Sequence, residues 1–208
     1  MVTRRTFLQL GAGIGAGIIM PFSLKYSQAF AAIATGVPKD ASLLTKYLDP
    51  LPIPAIMKPS GLLNGRPHYM MAMSQFTQKL HKNMAPTTLW GYNGRFPGNT
   101  IEATLGKKIQ VTWINNLPLT HLLPVDKTLH GADMGAPAVR TVVHLHGGHV
   151  PSASDGLPES WFVPGGHASY LYPNEQPGAT MWYHDHALGI TRLNVYAGLA
   201  GFYILRDP

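Results

Sequence analysis

From residue 68 onward the chain breaks into short segments that are either apolar or alternate apolar with polar, the signature of β-strands with one face buried. Tyr69 to His81, Thr87 to Tyr92, Thr100 to Thr104, Lys107 to Asn115, Arg140 to His146, Ala168 to Tyr172, Thr180 to His184 and Ala197 to Arg206 carry this pattern. Turn-forming residues punctuate them at Asn93-Gly94, Pro97-Gly98-Asn99, Leu105-Gly106, Asn115-Asn116-Leu117-Pro118, Gly147-Gly148 and Pro177-Gly178. No long amphipathic helix and no internal repeat interrupts the series. The pattern predicts an all-β domain over 68–208, a Greek-key β-sandwich or barrel.

The region ahead of it is different. Residues 32–67 lack periodicity and contain Pro50, Pro52, Pro54 and Pro59, which cannot pair inside a sheet. They predict an extended Pro-rich arm with a short helix near Ser42 to Tyr47. Residues 1–31 read as an export signal: Thr3-Arg4-Arg5-Thr6-Phe7-Leu8, an uncharged run from Leu10 to Leu24, and a small-x-small site at Ala29-Phe30-Ala31. A membrane-spanning helix needs roughly 20 apolar residues, and this run is shorter, Gly-rich and broken by Pro21, so no membrane anchor is expected. The arginine pair followed by Phe-Leu resembles the twin-arginine export signal, with an ordinary secretory signal as the alternative. That resemblance implies transport of a folded chain to the periplasm or cell surface.

Composition narrows the picture in two ways. The formal charge of +6 loses three units when Arg4, Arg5 and Lys25 leave with the signal, and the remaining basic residues are scattered, so no nucleic-acid partner is expected. The chain has no cysteine, which removes both disulfides and thiolate metal ligands from an exported protein. Its stability has to come from its core.

The chemistry is concentrated in two His-x-His pairs, His144-Leu145-His146 and His184-Asp185-His186. On an extended strand residues i and i+2 point the same way, roughly 7 Å apart at Cα, so each pair presents two imidazoles on one face. The first pair follows Val142-Val143 and precedes Gly147-Gly148; the second ends Met181-Trp182-Tyr183. Both therefore sit at strand ends. Imidazole donors select copper, zinc, iron or nickel over magnesium and calcium. One tetrahedral zinc is the alternative to a copper site, and metal-free structural histidines are the third reading. Four uncompensated imidazoles buried together would cost free energy in desolvation, which weighs against that third reading.

His-Leu-His-Gly-Gly, Trp-Tyr-His-Asp-His and the following Leu193-Asn194-Val195-Tyr196-Ala197-Gly198-Leu199-Ala200-Gly201 resemble the first cupredoxin domain of a multicopper oxidase, in the branch of bacterial spore-coat laccases and bilirubin oxidases. The likeness extends upstream through Leu89-Trp90-Gly91-Tyr92-Asn93-Gly94-Arg95-Phe96-Pro97-Gly98 and the arm. It implies a cupredoxin-like fold and an oxidoreductase that uses copper to reduce dioxygen to water while oxidising phenols, pigments or metal ions. It further implies that His144 binds a type 2 copper and that His146, His184 and His186 bind a type 3 pair. These four would be part of a trinuclear copper cluster shared with a C-terminal domain. Asp155 matches the acidic residue that this branch places near the cluster for proton delivery; a surface-turn aspartate ahead of Gly156 is the plain alternative.

The family's cysteine-bearing pattern for a blue copper is absent from this chain, so the chain alone is expected to be inactive. It is expected to be a fragment, a truncated gene product or one member of a complementing pair, with its remaining cupredoxin domains elsewhere and the reducing substrate docked on the missing domain. A non-catalytic exported copper-binding protein is the alternative function. His149 and His167 are expected to be surface or supporting residues, and His68, His81, His121 and His130 solvated or structural. Met71 and Met73 share one strand face and are expected in the core, Trp182 and Tyr183 to pack around the site, and Asp185 to point away from the metal face.

Overall fold

The computed structural model describes residues 40–208 apart from Met134; the predicted export signal at 1–31 and the first part of the arm lie outside the described residues. Residues up to Thr45 cluster separately from Lys46–Pro208 and are taken by themselves. There Ala41–Leu43 forms a single 3-10 turn capped by Asp40, whose side chain accepts the Ser42 N–H at 2.9 Å. The predicted helix over Ser42 to Tyr47 is not formed, since Leu44 is already extended. None of the turn's residues is buried, so no packing supports a longer helix.

In the body, the alternation becomes strands β1 (Gly61–Leu63), β2 (Arg66–Gln78), β3 (Thr87–Tyr92), β4 (Gly98–Thr104), β5 (Ile109–Asn115), β6 (Val143–His146), β7 (His167–Tyr172), β8 (Ala179–Asp185) and β9 (Ala200–Arg206). The sheet begins at Gly61, ahead of the His68 start that the pattern predicts, because β1 folds back on β2 through Asn64-Gly65, both at positive φ. One sheet runs β1-β2-β5-β7 with β3 on β2, and the other β4-β9-β8-β6. The β2·β5 and β4·β9 pairings are parallel and the rest antiparallel. The parallel pairs follow from the chain path: after the β2–β3 hairpin the chain crosses to the second sheet as β4 and returns as β5 beside β2. This is the predicted all-β sandwich.

Burial follows the period of two. In β5 Ile109, Val111, Trp113 and Asn115 are buried while Gln110, Thr112 and Ile114 are less so. Met71 and Met73 are fully buried and Met70 is exposed, as their alternation predicts. Between the sheets Trp113 lies against Tyr92 and Tyr183 at 5.5 and 5.1 Å between ring centroids, with Tyr92 and Tyr183 edge-on at 4.9 Å. Such pairs add about 0.5–1.5 kcal/mol each beyond the area they bury. Tyr183 therefore serves the core rather than the site; its hydroxyl donates to the Asn99 carbonyl at 2.6 Å and ties β8 to the start of β4.

Residues 197–199, read as the start of the last strand, belong instead to the end of helix α1 (Thr191–Ala197) and its cap. Gly198, at φ +125, turns the chain out of the helix and donates its N–H to the Asn194 and Val195 carbonyls. A Cβ there would run into the Trp90 carbonyl, so the glycine also lets α1 seat against β3. Among the described residues no helix is long and apolar enough to cross a membrane.

Candidate metal centre

Strands β6 and β8 pair antiparallel with His144 opposite His184 and His146 opposite Trp182. Cross-strand partners share a face, so His144, His146, His184 and Trp182 stand on one side of the sheet. The intervening Val143, Leu145, Tyr183 and Asp185 are buried on the other. His186 lies just past the ladder, held by its N–H to the Val142 carbonyl at 2.8 Å. The two pairs, far apart in sequence, thus form one patch. His144 is central to it, with ring centroids 5.8, 5.7 and 5.1 Å from His146, His184 and His186. The His146–His184 and His184–His186 separations are 5.4 and 5.9 Å.

Backbone carbonyls select which nitrogen of two of these rings is left bare. His144 Nδ1 lies 2.6 Å from the Asp155 carbonyl and His184 Nδ1 lies 2.7 Å from the Asp185 carbonyl. Each Nδ1 must donate there, so each Nε2 keeps its lone pair. His184 Nε2 then faces His146 Nδ1 at 3.2 Å. Two donors on one ion with metal–nitrogen bonds of about 2.0–2.1 Å and tetrahedral angles lie roughly 3.3 Å apart, so this spacing fits two ligands on one metal as well as it fits a hydrogen bond between the two rings. His186 Nδ1 is buried and lacks a hydrogen-bond partner. An unsatisfied buried nitrogen costs about 1–3 kcal/mol, a penalty that ligation in this patch offsets. The residues present fit a metal centre.

Among the described residues no three His, Cys, Asp or Glu side chains converge on a single point. His184 is also in the form a metal needs. Burial, then the nearby rings of His144, His146 and His186, pushes His184 down to about 4, against the pull of its bond to the Asp185 carbonyl, so the ring is neutral near neutral pH. Trp182 covers the pair, 4.0 Å from His184 and stacked on His146 at 5.5 Å, while remaining 37% exposed on its outer side.

Asp155 ends the 3-10 turn Ser152–Ser154, and its short contact to His144 is made by the main chain. Its carboxylate Oδ1 is 3.5 Å from the same His144 Nδ1, with the side chain 33% exposed. A cavity of about 290 Å³, lined in part by Ser152, Gly156, Ser160 and Tyr170, opens beside this turn. Burial and the nearby Asp155 push the Tyr170 hydroxyl up to about 12, so it stays protonated.

His149 and His167 are exposed. His68 reaches Thr112 Oγ1 through Nε2 at 2.8 Å. His121 takes the structural of its two expected roles: its Nε2 meets Asn194 Oδ1 at 2.9 Å, and Leu123 N–H donates to its Nδ1 at 2.9 Å. No local spacing marks that role, because its partner is 73 residues away.

The comparisons with known proteins agree with this geometry. A family model described as multicopper oxidase matches residues 75–137 and 135–208. A laccase from Bacillus subtilis is 50% identical over 175 residues, covering 79% of this chain and 34% of its own length. A laccase from Haloferax volcanii is 41% identical over 217 residues, covering 97% of this chain and 36% of its own. The crystal structure of a laccase from Pediococcus acidilactici aligns with a TM-score of 0.64 at 28% identity, covering 79% of this chain and 31% of that one. The chain therefore spans about a third of the length of the curated relatives it matches.

Proposed function

Because this chain belongs to the multicopper oxidase family, whose cofactor is copper, we propose that it forms the first cupredoxin domain of a laccase-like oxidase and supplies half of the ligands of a trinuclear copper cluster. In this reading His144 serves the type 2 copper, and His146, His184 and His186 serve the type 3 pair. The observation that carries it is the 3.2 Å approach of His146 Nδ1 to His184 Nε2 on a face of four neighbouring imidazoles. When bound, copper supplies one electron per ion, and the cluster with one further copper supplies the four that take dioxygen to water.

The chain's own residues hold and orient. The Asp155 and Asp185 carbonyls fix the tautomers of His144 and His184, and Trp182 packs its ring against both His146 and His184. Asp155, partly exposed and with its Oδ1 3.5 Å from His144 Nδ1, is the carboxylate placed to assist proton delivery. The thiolate that a blue copper requires has no source in this chain, so the electron-entry copper and a phenolic, pigment or metal-ion donor belong to a further cupredoxin domain, in the same or a partner chain. The apolar face next to the cluster, where Trp182 and its cross-strand partner Phe202 are 37% and 42% exposed, is the surface for such a domain to cover.

Copper-loaded purified chain is expected to bind metal yet to show neither phenol-dependent oxygen uptake nor intense blue colour; fusion to a cupredoxin domain carrying a His-Cys-His segment should restore both. Sustained turnover by the chain alone, or no copper bound, would refute the assignment. We further place the protein outside the cytoplasm by the twin-arginine route, on the strength of Arg4-Arg5 and the uncharged run behind them. Replacing both arginines with lysine is then expected to leave the chain in the cytosolic fraction of a bacterial host; unchanged export would argue for an ordinary secretory signal.

A further inference from the structure

We propose that Asp185 is the positioning residue of the centre: its carboxylate staples the two histidine-bearing strands where their ladder ends, and Asn194 and His121 brace it from behind. The inference rests on the reading of the four histidines as copper ligands and concerns what holds them in register.

Asp185 lies between two ligands in sequence, but alternation turns its side chain to the opposite face, where it is fully buried. Oδ2 accepts the Val142 N–H at 3.1 Å and Oδ1 accepts the Ala187 N–H at 3.0 Å. Val142 leads into His144, and Ala187 directly follows His186. One carboxylate therefore joins the entrance of the first His-x-His to the exit of the second. The β6–β8 ladder reaches only Val143↔Asp185, and beyond it the main chain contributes the His186 N–H to Val142 carbonyl bond. The side chain thus supplies the cross-links that the ladder has run out of.

A carboxylate suits this place because both partners are donors. Asparagine offers one acceptor and would turn its NH2 toward an N–H, leaving one of the two unsatisfied. The support behind Asp185 has a consistent direction. The Leu123 N–H donates to His121 Nδ1, so His121 Nε2 carries the proton and donates to Asn194 Oδ1. Asn194, fully buried on α1, donates through Nδ2 to the Arg140 carbonyl at 2.9 Å and lies close enough to the Asp185 carboxylate to stabilise its charged form. Arg140 is itself fully buried, its two terminal guanidinium nitrogens donating to the Pro137, Gly131 and Leu188 carbonyls. The loop before β6, the segment after β8 and α1 all meet at this carboxylate. Moving it moves His144 and His186 relative to each other.

The test is copper(II) affinity of the purified chain, by competition with a chelator, for wild type, Asp185→Asn, Asn194→Leu and Val111→Ala. Val111 is fully buried in β5, in the sheet opposite β6 and β8, and its truncation lowers stability without removing a partner of the staple. Asp185→Asn is expected to weaken copper about 10–100-fold, the range for residues that orient metal ligands. Its copper EPR spectrum should also change. Val111→Ala should keep wild-type affinity and spectrum. Asn194→Leu, with Asp185 intact, should shift affinity in the same direction by less, and it decides the matter if Asp185→Asn does not fold. The staple is overturned if the Asp185 and Asn194 variants bind copper like wild type, or if Val111→Ala loses as much. Absence of copper binding by wild type would instead remove the ligand assignment on which the inference rests.

Discussion

His184→Ala is expected to lower the copper affinity of the chain by at least about 100-fold, a larger loss than the 10–100-fold typical of residues that only orient ligands. His184 stands opposite His144 in the ladder, meets His146 Nδ1 at 3.2 Å, and carries Trp182 at 4.0 Å between ring centroids. Its removal takes away one donor and releases the aromatic cover from another. The ring is 5% exposed, so truncation also leaves a cavity, at a cost of about 2–4 kcal/mol by analogy with other large-to-small changes in cores. His167→Ala, at an exposed position, is the control that should bind copper normally. Metal analysis of folded material, with competition titration, separates the outcomes: equal copper in the two variants would remove His184 from the centre.

Gly156→Ala should unfold the site through the backbone, at a total cost of about 3–5 kcal/mol, the range reserved for a severe local clash. Gly156 has φ +73, where an alanine costs about 1–2 kcal/mol on conformational grounds alone. The added Cβ would also run into the Val143 carbonyl and the His144 Cα, the strand that carries the first histidine pair. Relief requires the Asp155–Gly156 turn to move off β6, breaking the bond from His144 Nδ1 to the Asp155 carbonyl. Gly165→Ala isolates the first component: its φ is +87 and an added Cβ meets nothing within 4 Å, so only about 1–2 kcal/mol should be lost. Denaturant unfolding of the two variants reads the difference. Equal midpoints would mean that contact with β6 does not matter.

Much of the site was legible before any coordinates. A period of two is local, so the pairing of His144 with His146 and of His184 with the residues around it on one face, and the inward turn of Asp185, could be read from i and i+2. The cis Phe96-Pro97 bond left no such trace in the pattern, whereas the β1–β2 turn did, as Asn64-Gly65, a dipeptide typical of tight hairpins. Tyr183 was assigned to the site by proximity in sequence, although the same alternation that exposes His184 sends it into the core. His121 is structural, within the expectation, but nothing near it in the chain predicts Asn194 as its neighbour. Asp155 was singled out for its carboxylate, yet its short contact to His144 comes from a main-chain oxygen that any residue at that turn would supply.

The amino acids alone were enough to specify strand, face and donor type, since these depend on neighbours one or two positions away. They were also enough to exclude a thiolate, because that is a matter of composition. The register that sets His144 against His184, the two parallel pairings, and the convergence of the Val142 and Ala187 N–H groups on one buried carboxylate came from packing between distant segments. Such contacts are chosen by the mutual fit of whole sheets around a shared core, and a short window of sequence does not contain both partners.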